Sequence, residues 1–231
     1  MLPELILKEE EEQRTSLLLV LGLVSGLLGF GFARVLFPSQ LGIMAVIFAS
    51  IPLLYPLTSY FLEREKESKP HIPEVKLYGT IFLGECLGFF LLGLAFPDTF
   101  SLQLEIIGAA GYAGNPVSLF SVLSNNILVF AGILVVASII GSAGAFILTW
   151  NASVLGVFLA HIFGQSPVQI IGYVPHASLE MTGFIVAGIT GSMVSAAVYR
   201  EHFDRDTWFD FVKLGFGGVL LIFLAALLET A

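Results

Sequence analysis

The chain reads as an all-α protein, a polytopic transmembrane helical bundle of seven spans, and three features of the sequence predict this class. First, 56% of its 231 residues are apolar and only 12% are charged, with a mean hydropathy of +0.91; a soluble domain built on one core needs much less apolar material. Second, the apolar residues gather in stretches of about 20, the length a helix needs to cross a hydrocarbon layer of roughly 30 Å. Third, eighteen acids against ten bases give a net charge of −8. The bases form no run or stripe, which excludes nucleic acid as a partner and leaves membrane lipid as the surroundings. The single cysteine, Cys86, excludes a disulfide framework or a cysteine zinc cluster.

Residues 1–14 are expected to form an acidic cytoplasmic N-terminus, with Glu9 to Glu12 at its centre, and residues 15–231 one transmembrane domain. The first span, Thr15 to Phe37, carries Gly22-x-x-x-Gly26; no small-residue cleavage site separates it from the next apolar run, so it is not a cleaved signal. The second, Leu41 to Leu62, contains Pro52 and Pro56, which read as kink positions. Residues 63–76 are a mixed-charge cytoplasmic loop. The third span, Leu77 to Phe96, holds Glu85 within Gly84-x-x-x-Gly88. Residues 97–116 form an external interfacial segment, poor in charge and partly apolar (Leu102, Leu104, Ile106, Ile107), suited to lying at the lipid surface or over the bundle.

From Ile106 to Leu179 there is no Asp, Glu, Lys or Arg, so no loop announces itself by charge. Length decides the matter: one helix from Val117 to Phe163 would measure about 70 Å at 1.5 Å per residue, more than twice the membrane. The chain must turn back near Gly141-Ser142-Ala143-Gly144, giving a fourth span, Val117 to Gly141, and a fifth, Ser142 to Phe163; a re-entrant pair is the alternative. The sixth, Pro175 to Tyr199, carries Gly183-x-x-x-Ala187-x-x-x-Gly191. The seventh runs from Thr207 to Leu228, with Gly215, Gly217 and Gly218 near its start. Small residues at this spacing let helix backbones approach, within the chain or between copies in a homo-oligomer.

Lys and Arg in short loops mark the cytoplasmic side. With seven spans, Lys8, Arg14, Arg64, Lys66, Lys69, Lys76, Arg200 and Arg205 share one face and Arg34 alone lies on the other. A re-entrant pair would send Arg200 and Arg205 outside. The expected orientation is therefore N-inside and C-outside, in a multi-pass protein of the cell membrane.

A charged group in hydrocarbon costs a few kcal/mol or more and therefore faces the bundle interior, where it is a functional candidate. His176 and Glu180 lie one turn apart on one helical face, about 8 Å inside the external end at Glu180. Asn125 and Asn126 lie roughly 12 Å in from the same end, so the four side chains form a candidate functional cluster. Glu85 and Asn151 enter from the cytoplasmic side to similar depth and form a separate inner polar layer. An i, i+4 His/Glu pair also offers two ligands for zinc or another divalent metal, with His161 as the third, but a hydrogen-bonded packing pair or a proton or ion pathway uses the same residues. His71 and His202 lie in loops with no geometry attached, and the acceptor pattern Asn151-Ala152-Ser153 falls inside a helix, out of reach of glycosylation. No catalytic Gly-x-Ser-x-Gly, His-Glu-x-x-His, phosphate-loop or dinucleotide signature is present.

Asn125-Asn126, then Asn151-Ala152-Ser153-Val154-Leu155-Gly156, then Pro175-His176-Ala177-Ser178-Leu179-Glu180 resemble the stage II sporulation protein M family, whose members show Asn-Asn, Asn-Gly-x-x-Leu-Gly and Pro-His-Gly-x-x-Glu in this order. The resemblance covers the chain from Ser118 onward, with Ala152 and Ala177 standing where the family has glycine. It implies a membrane scaffold, since the name-giving member recruits cell-wall hydrolases during engulfment. The expected function is accordingly an integral membrane scaffold or accessory protein that organises membrane or extracytoplasmic protein partners. A small transporter or channel for protons or divalent ions, using the His/Glu/Asn cluster, is the alternative, and a metal-dependent intramembrane hydrolase a second.

Overall fold

The computed structural model describes residues 11–64, 72–109, 118–141, 143–199 and 205–230. Lys8, Glu9, Lys66, Lys69, His71, Pro116, Val117, Ser142, Arg200 and His202 lie outside the described residues, so the charge-based orientation continues to rest on the sequence. The described chain contains no strand; its α-helices are α1 (Glu11–Leu36), α2 (Leu41–Arg64), α3 (Ile72–Ala95), α4 (Ser101–Ala109), α5 (Leu119–Ile140), α6 (Ala143–Gln165), α7 (Ile170–Tyr199) and α8 (Arg205–Thr230). Six of these, α1, α3, α5, α6, α7 and α8, are long and apolar enough to cross a membrane. The second expected span is a 24-residue helix, α2; with the turn before it, its apolar described stretch, Pro38–Leu54, is shorter than a span.

Three connections share one design. After α1, α3 and α6 the chain leaves the helix at Phe37, Phe96 and Ser166, and a proline (Pro38, Pro97, Pro167) starts a single 3-10 turn leading into the next helix. Proline suits that position because its φ is already helical and its missing N–H would have had no helical partner. All three turns lie at one end of the bundle, the end that the charge pattern assigns to the outside. At the opposite end α5 stops at Gly141, whose φ of +64° is open to glycine and strained for other residues, and whose N–H still bonds the Ala137 carbonyl at 2.8 Å. The turn-back read from length is therefore a true helix end, and both helices it joins are of membrane-spanning length.

Two helix starts differ from the sequence reading. Helix α3 begins at Ile72, five residues before Leu77, because Pro73 and the acidic Glu74 suit a first turn. Helix α7 begins at Ile170 and runs through Pro175, which the sequence reading placed at its start. A proline here only deprives the Ile171 carbonyl of its helical N–H, a loss tolerated in membrane helices.

The glycine stripes are contacts within the chain. Gly22 of α1 lies against the backbone of Ile81 and Glu85, and Gly84 of α3 against Leu19 and Leu23, so the two helices meet nearly backbone to backbone. In α7, a side chain at Gly183 would strike Ile222 at 2.8 Å, and one at Gly191 would strike the Leu134 carbonyl at 2.5 Å. Every residue from Gly183 to Met193 is buried, and α7 packs against α2, α3, α5, α6 and α8. It is the central strut. The segment after α3 folds over the bundle end: Phe100 and Gln103 are fully buried, Phe100 meets the Phe89 ring edge-on at 6.0 Å, and Gln103 donates to the Gly42 carbonyl at 3.3 Å.

Candidate functional site

A cavity of about 620 Å³ lies between α5, α6 and α7 in the half of the bundle nearest the proline turns. Its wall on α5 runs from Ser121 to Ile133, about 18 Å of helix, and its wall on α6 from Phe158 to Ile147. Ile106 of α4 and Glu229, in the last turn of α8, complete it. Below it the helices close on small residues: Gly144 of α6 faces Gly188 of α7, with the Ala137 methyl filling the remaining space, and Gly191 presses on Leu134 and Ala137. Shut below by these contacts, the cavity is a cup whose open side runs along α5, where Ser121, Asn125 and Gly132 are exposed.

Asn125, Asn126, His176 and Glu180 all line this cavity. Ser118 caps α5 by accepting the Ser121 N–H at 3.2 Å and so fixes the register that puts both asparagines two turns into the helix. Asn125 Nδ2 donates to Asn126 Oδ1 at 3.1 Å, and the Asn126 side chain in turn hydrogen-bonds the Glu180 carboxyl. Asn126 is buried, whereas Ser121, Asn125 and, deeper, Gly132 are exposed lining residues, so the cavity communicates with the surface along α5. His176 is only 6% exposed. Its ring stands edge-on to Tyr173 at 5.7 Å, Tyr173 stands edge-on to Phe158 of α6 at 5.0 Å, and the imidazole has no hydrogen-bond partner among the described residues. Aromatic packing thus fixes the ring while leaving its nitrogens available to the cavity.

The sequence reading missed Glu229, whose charge acts on both His176 and Glu180. An acid directly after a long apolar run reads as an ordinary interfacial residue. Its significance follows only from α8 ending at the same end of the bundle as α7 begins, which the seven-span topology already contained. The aromatic wall, Trp150, Phe158 and Phe184, was equally illegible among so many apolar residues.

The inner polar layer divides differently from the expectation. Glu85, 2% exposed, accepts from Thr149 Oγ1 at 2.9 Å, and not from Asn151. Asn151 lines the cavity instead, donating its Nδ2 to the Ile147 carbonyl at 2.8 Å. One turn of α6 carries both, but Thr149 faces α3 while Asn151 faces the cup. His161 stands apart from the cluster: it is exposed, lies 2.8 Å from Gln165 Nε2, and is not part of the cavity wall. Among the described residues, no three His, Cys, Asp or Glu side chains are grouped to hold a metal ion. The residues present do not fit the zinc or other divalent centre expected of His161, His176 and Glu180.

Ala152 and Ala177, the two departures from glycine, occupy unlike places. Ala152 is fully buried in the core, and Ala177 adds its methyl to the cavity wall. Residues 77–231 match the family model described as Stage II sporulation protein M. The match begins well before Ser118 and so takes in α3 with Glu85. No curated protein and no solved structure matches the chain.

Proposed function

We propose, from the premise that the chain belongs to the stage II sporulation protein M family, that it serves as an integral membrane scaffold or accessory subunit organising protein partners at the extracytoplasmic side. The observation that supports this reading is the cup. Its polar groups open to the surface along α5, and Gly144, Gly188 and Gly191 close the helices beneath them, a form that suits a receptacle better than a path across the bilayer. The remaining described chain is almost wholly helix, so the recognition surfaces it offers among the described residues are helix ends and membrane-facing sides.

The transport reading draws on one feature, the grouping of His176, Glu180, Glu229 and three asparagines within a membrane bundle, since such groups are usual components of ion and proton routes. Purified protein in liposomes separates the two. The scaffold reading expects no proton or divalent-ion flux above empty liposomes, and a stable protein partner captured by cross-linking in native membranes. Flux that Glu180→Gln abolishes would overturn it.

A further inference from the structure

The cup has a charge and a lining that select its contents. Two carboxylates reach it, Glu180 from α7 and Glu229 from α8, and no Lys or Arg lines it. Its α6 and α7 walls bear Trp150, Phe158 and Phe184, and aromatic faces attract cations through their ring quadrupole, most strongly when water is excluded. Asn151 presents an Oδ1 with no partner among the described residues, and the buried His176 imidazole points to a ligand because nothing described in the protein satisfies it. Carboxylates, an acceptor amide and aromatic faces around one space suit a positive group that donates hydrogen bonds.

Size and access narrow the class. A volume of about 620 Å³ lies within the range of small-molecule sites and far exceeds a bare ion or a single water. The exposed Ser121, Asn125 and Gly132 place the opening on the side of the bundle along α5, where a headgroup or a dissolved solute can enter at its outer end. We infer that this cavity is a binding site for a ligand bearing an ammonium group, held between the Glu180 and Glu229 carboxylates against the Trp150, Phe158 and Phe184 aromatic wall. The ligand is either the amine headgroup of a membrane lipid or a small dissolved amine; the recognition chemistry is the same. This inference stands whether or not the protein is a scaffold, because it concerns what fills the cup and not what the protein assembles.

The protein has two tryptophans, Trp150 in the cavity wall and Trp208 stacked on Phe211 at 5.4 Å. In a Trp208→Phe background, emission therefore reports on the site. Ethanolamine and ethylamine, both protonated at neutral pH, are titrated into detergent-purified protein, with ethylene glycol as the uncharged control. In parallel, lipid retained by protein from mixed phosphatidylethanolamine and phosphatidylglycerol nanodiscs is measured by native mass spectrometry. A saturable Trp150 response to the amines but not to ethylene glycol indicates a dissolved ligand. Selective retention of phosphatidylethanolamine indicates a headgroup, and either supports the site. Glu180→Gln and Glu229→Gln should each weaken the effect on the order of tenfold or more; Glu229 lies in a final helical turn, so its variant keeps the test valid if Glu180→Gln does not fold. Absence of both signals in the unsubstituted cavity, or signals unchanged in both variants, would overturn the inference, while the flux and cross-linking results would still decide the scaffold reading separately.

Discussion

Replacing Gly191 by alanine adds one methyl group at a confined point between α5 and α7. The new Cβ would sit 2.5 Å from the Leu134 carbonyl oxygen, 2.6 Å from the Ala137 Cβ and 2.9 Å from the Ser138 nitrogen. All three are backbone atoms or a Cβ, so no side chain can rotate aside and α5 must move away from α7. Overpacking of this kind costs about 1–3 kcal/mol; for a chain of this size each kcal/mol lowers the melting temperature by about 2–4 °C, so Gly191→Ala should melt roughly 2–12 °C lower. The contrasting variant is Gly132→Ala, at a position where nothing lies within 4 Å; it should be neutral or slightly stabilising, because alanine favours helix over glycine by up to about 1 kcal/mol. The protein carries its own reporter, since Cys86 is the single cysteine and is buried. A thiol-reactive fluorophore therefore signals unfolding during a thermal ramp in detergent. Equal melting of Gly191→Ala and the parent, or an equal loss in Gly132→Ala, would refute the close approach of α5 and α7.

Three further outcomes are expected. Thr149→Val removes the hydroxyl that donates to Glu85 at 2.9 Å and leaves a buried carboxyl without that bond, lowering stability by about 1–3 kcal/mol in the same thermal assay; Glu85→Gln, which still accepts from Thr149, should lose less. Asn126→Ala breaks the link between Asn125 and Glu180 and should cost about 1 kcal/mol, whereas Asn125→Ala, at the exposed end of that link, should cost less; the reverse ranking in chemical denaturation would argue against the chain of bonds. In a Cys86→Ser background, Ser39→Cys in the first proline turn should react with a membrane-impermeant maleimide in intact cells, and Arg205→Cys only after permeabilisation. The opposite labelling would invert the orientation.

Much of the bundle could be read in advance because the bilayer imposes a length rule that ignores side-chain detail. Length alone placed the turn at Gly141 in a region without a single charge, and spacing alone paired His176 with Glu180. Other features were hidden for physical reasons. The start of α3 was set too late because the charges up to Lys76 read as loop, and that of α7 because Pro175 read as a boundary, although a first turn can carry charge and a proline can interrupt a membrane helix at the loss of one bond. Depth placed Asn151 with Glu85, but depth carries no information on which way a helix is rotated, and rotation gives Glu85 to Thr149 and Asn151 to the cavity. Glu229 needed the joint placement of two helices far apart in sequence. The family match reaches back to residue 77, into a span where no short motif stands out by eye.

The central position of α7 bears on the order in which the protein can be made. A chain synthesised from its N-terminus has its first six helices in hand before residues 183–193 exist. Helices α1 and α3 can lock through Gly22 and Gly84 at once, but α5 must wait for its main partner, since Gly191 of α7 and Phe130 against Gly218 of α8 supply its tightest contacts. A ribosome that stalls after Gln165 would leave α5 without α7 and α8 and its buried Asn126 uncovered. Completion of the last two helices is thus what closes the bundle around α5 and buries its inward face.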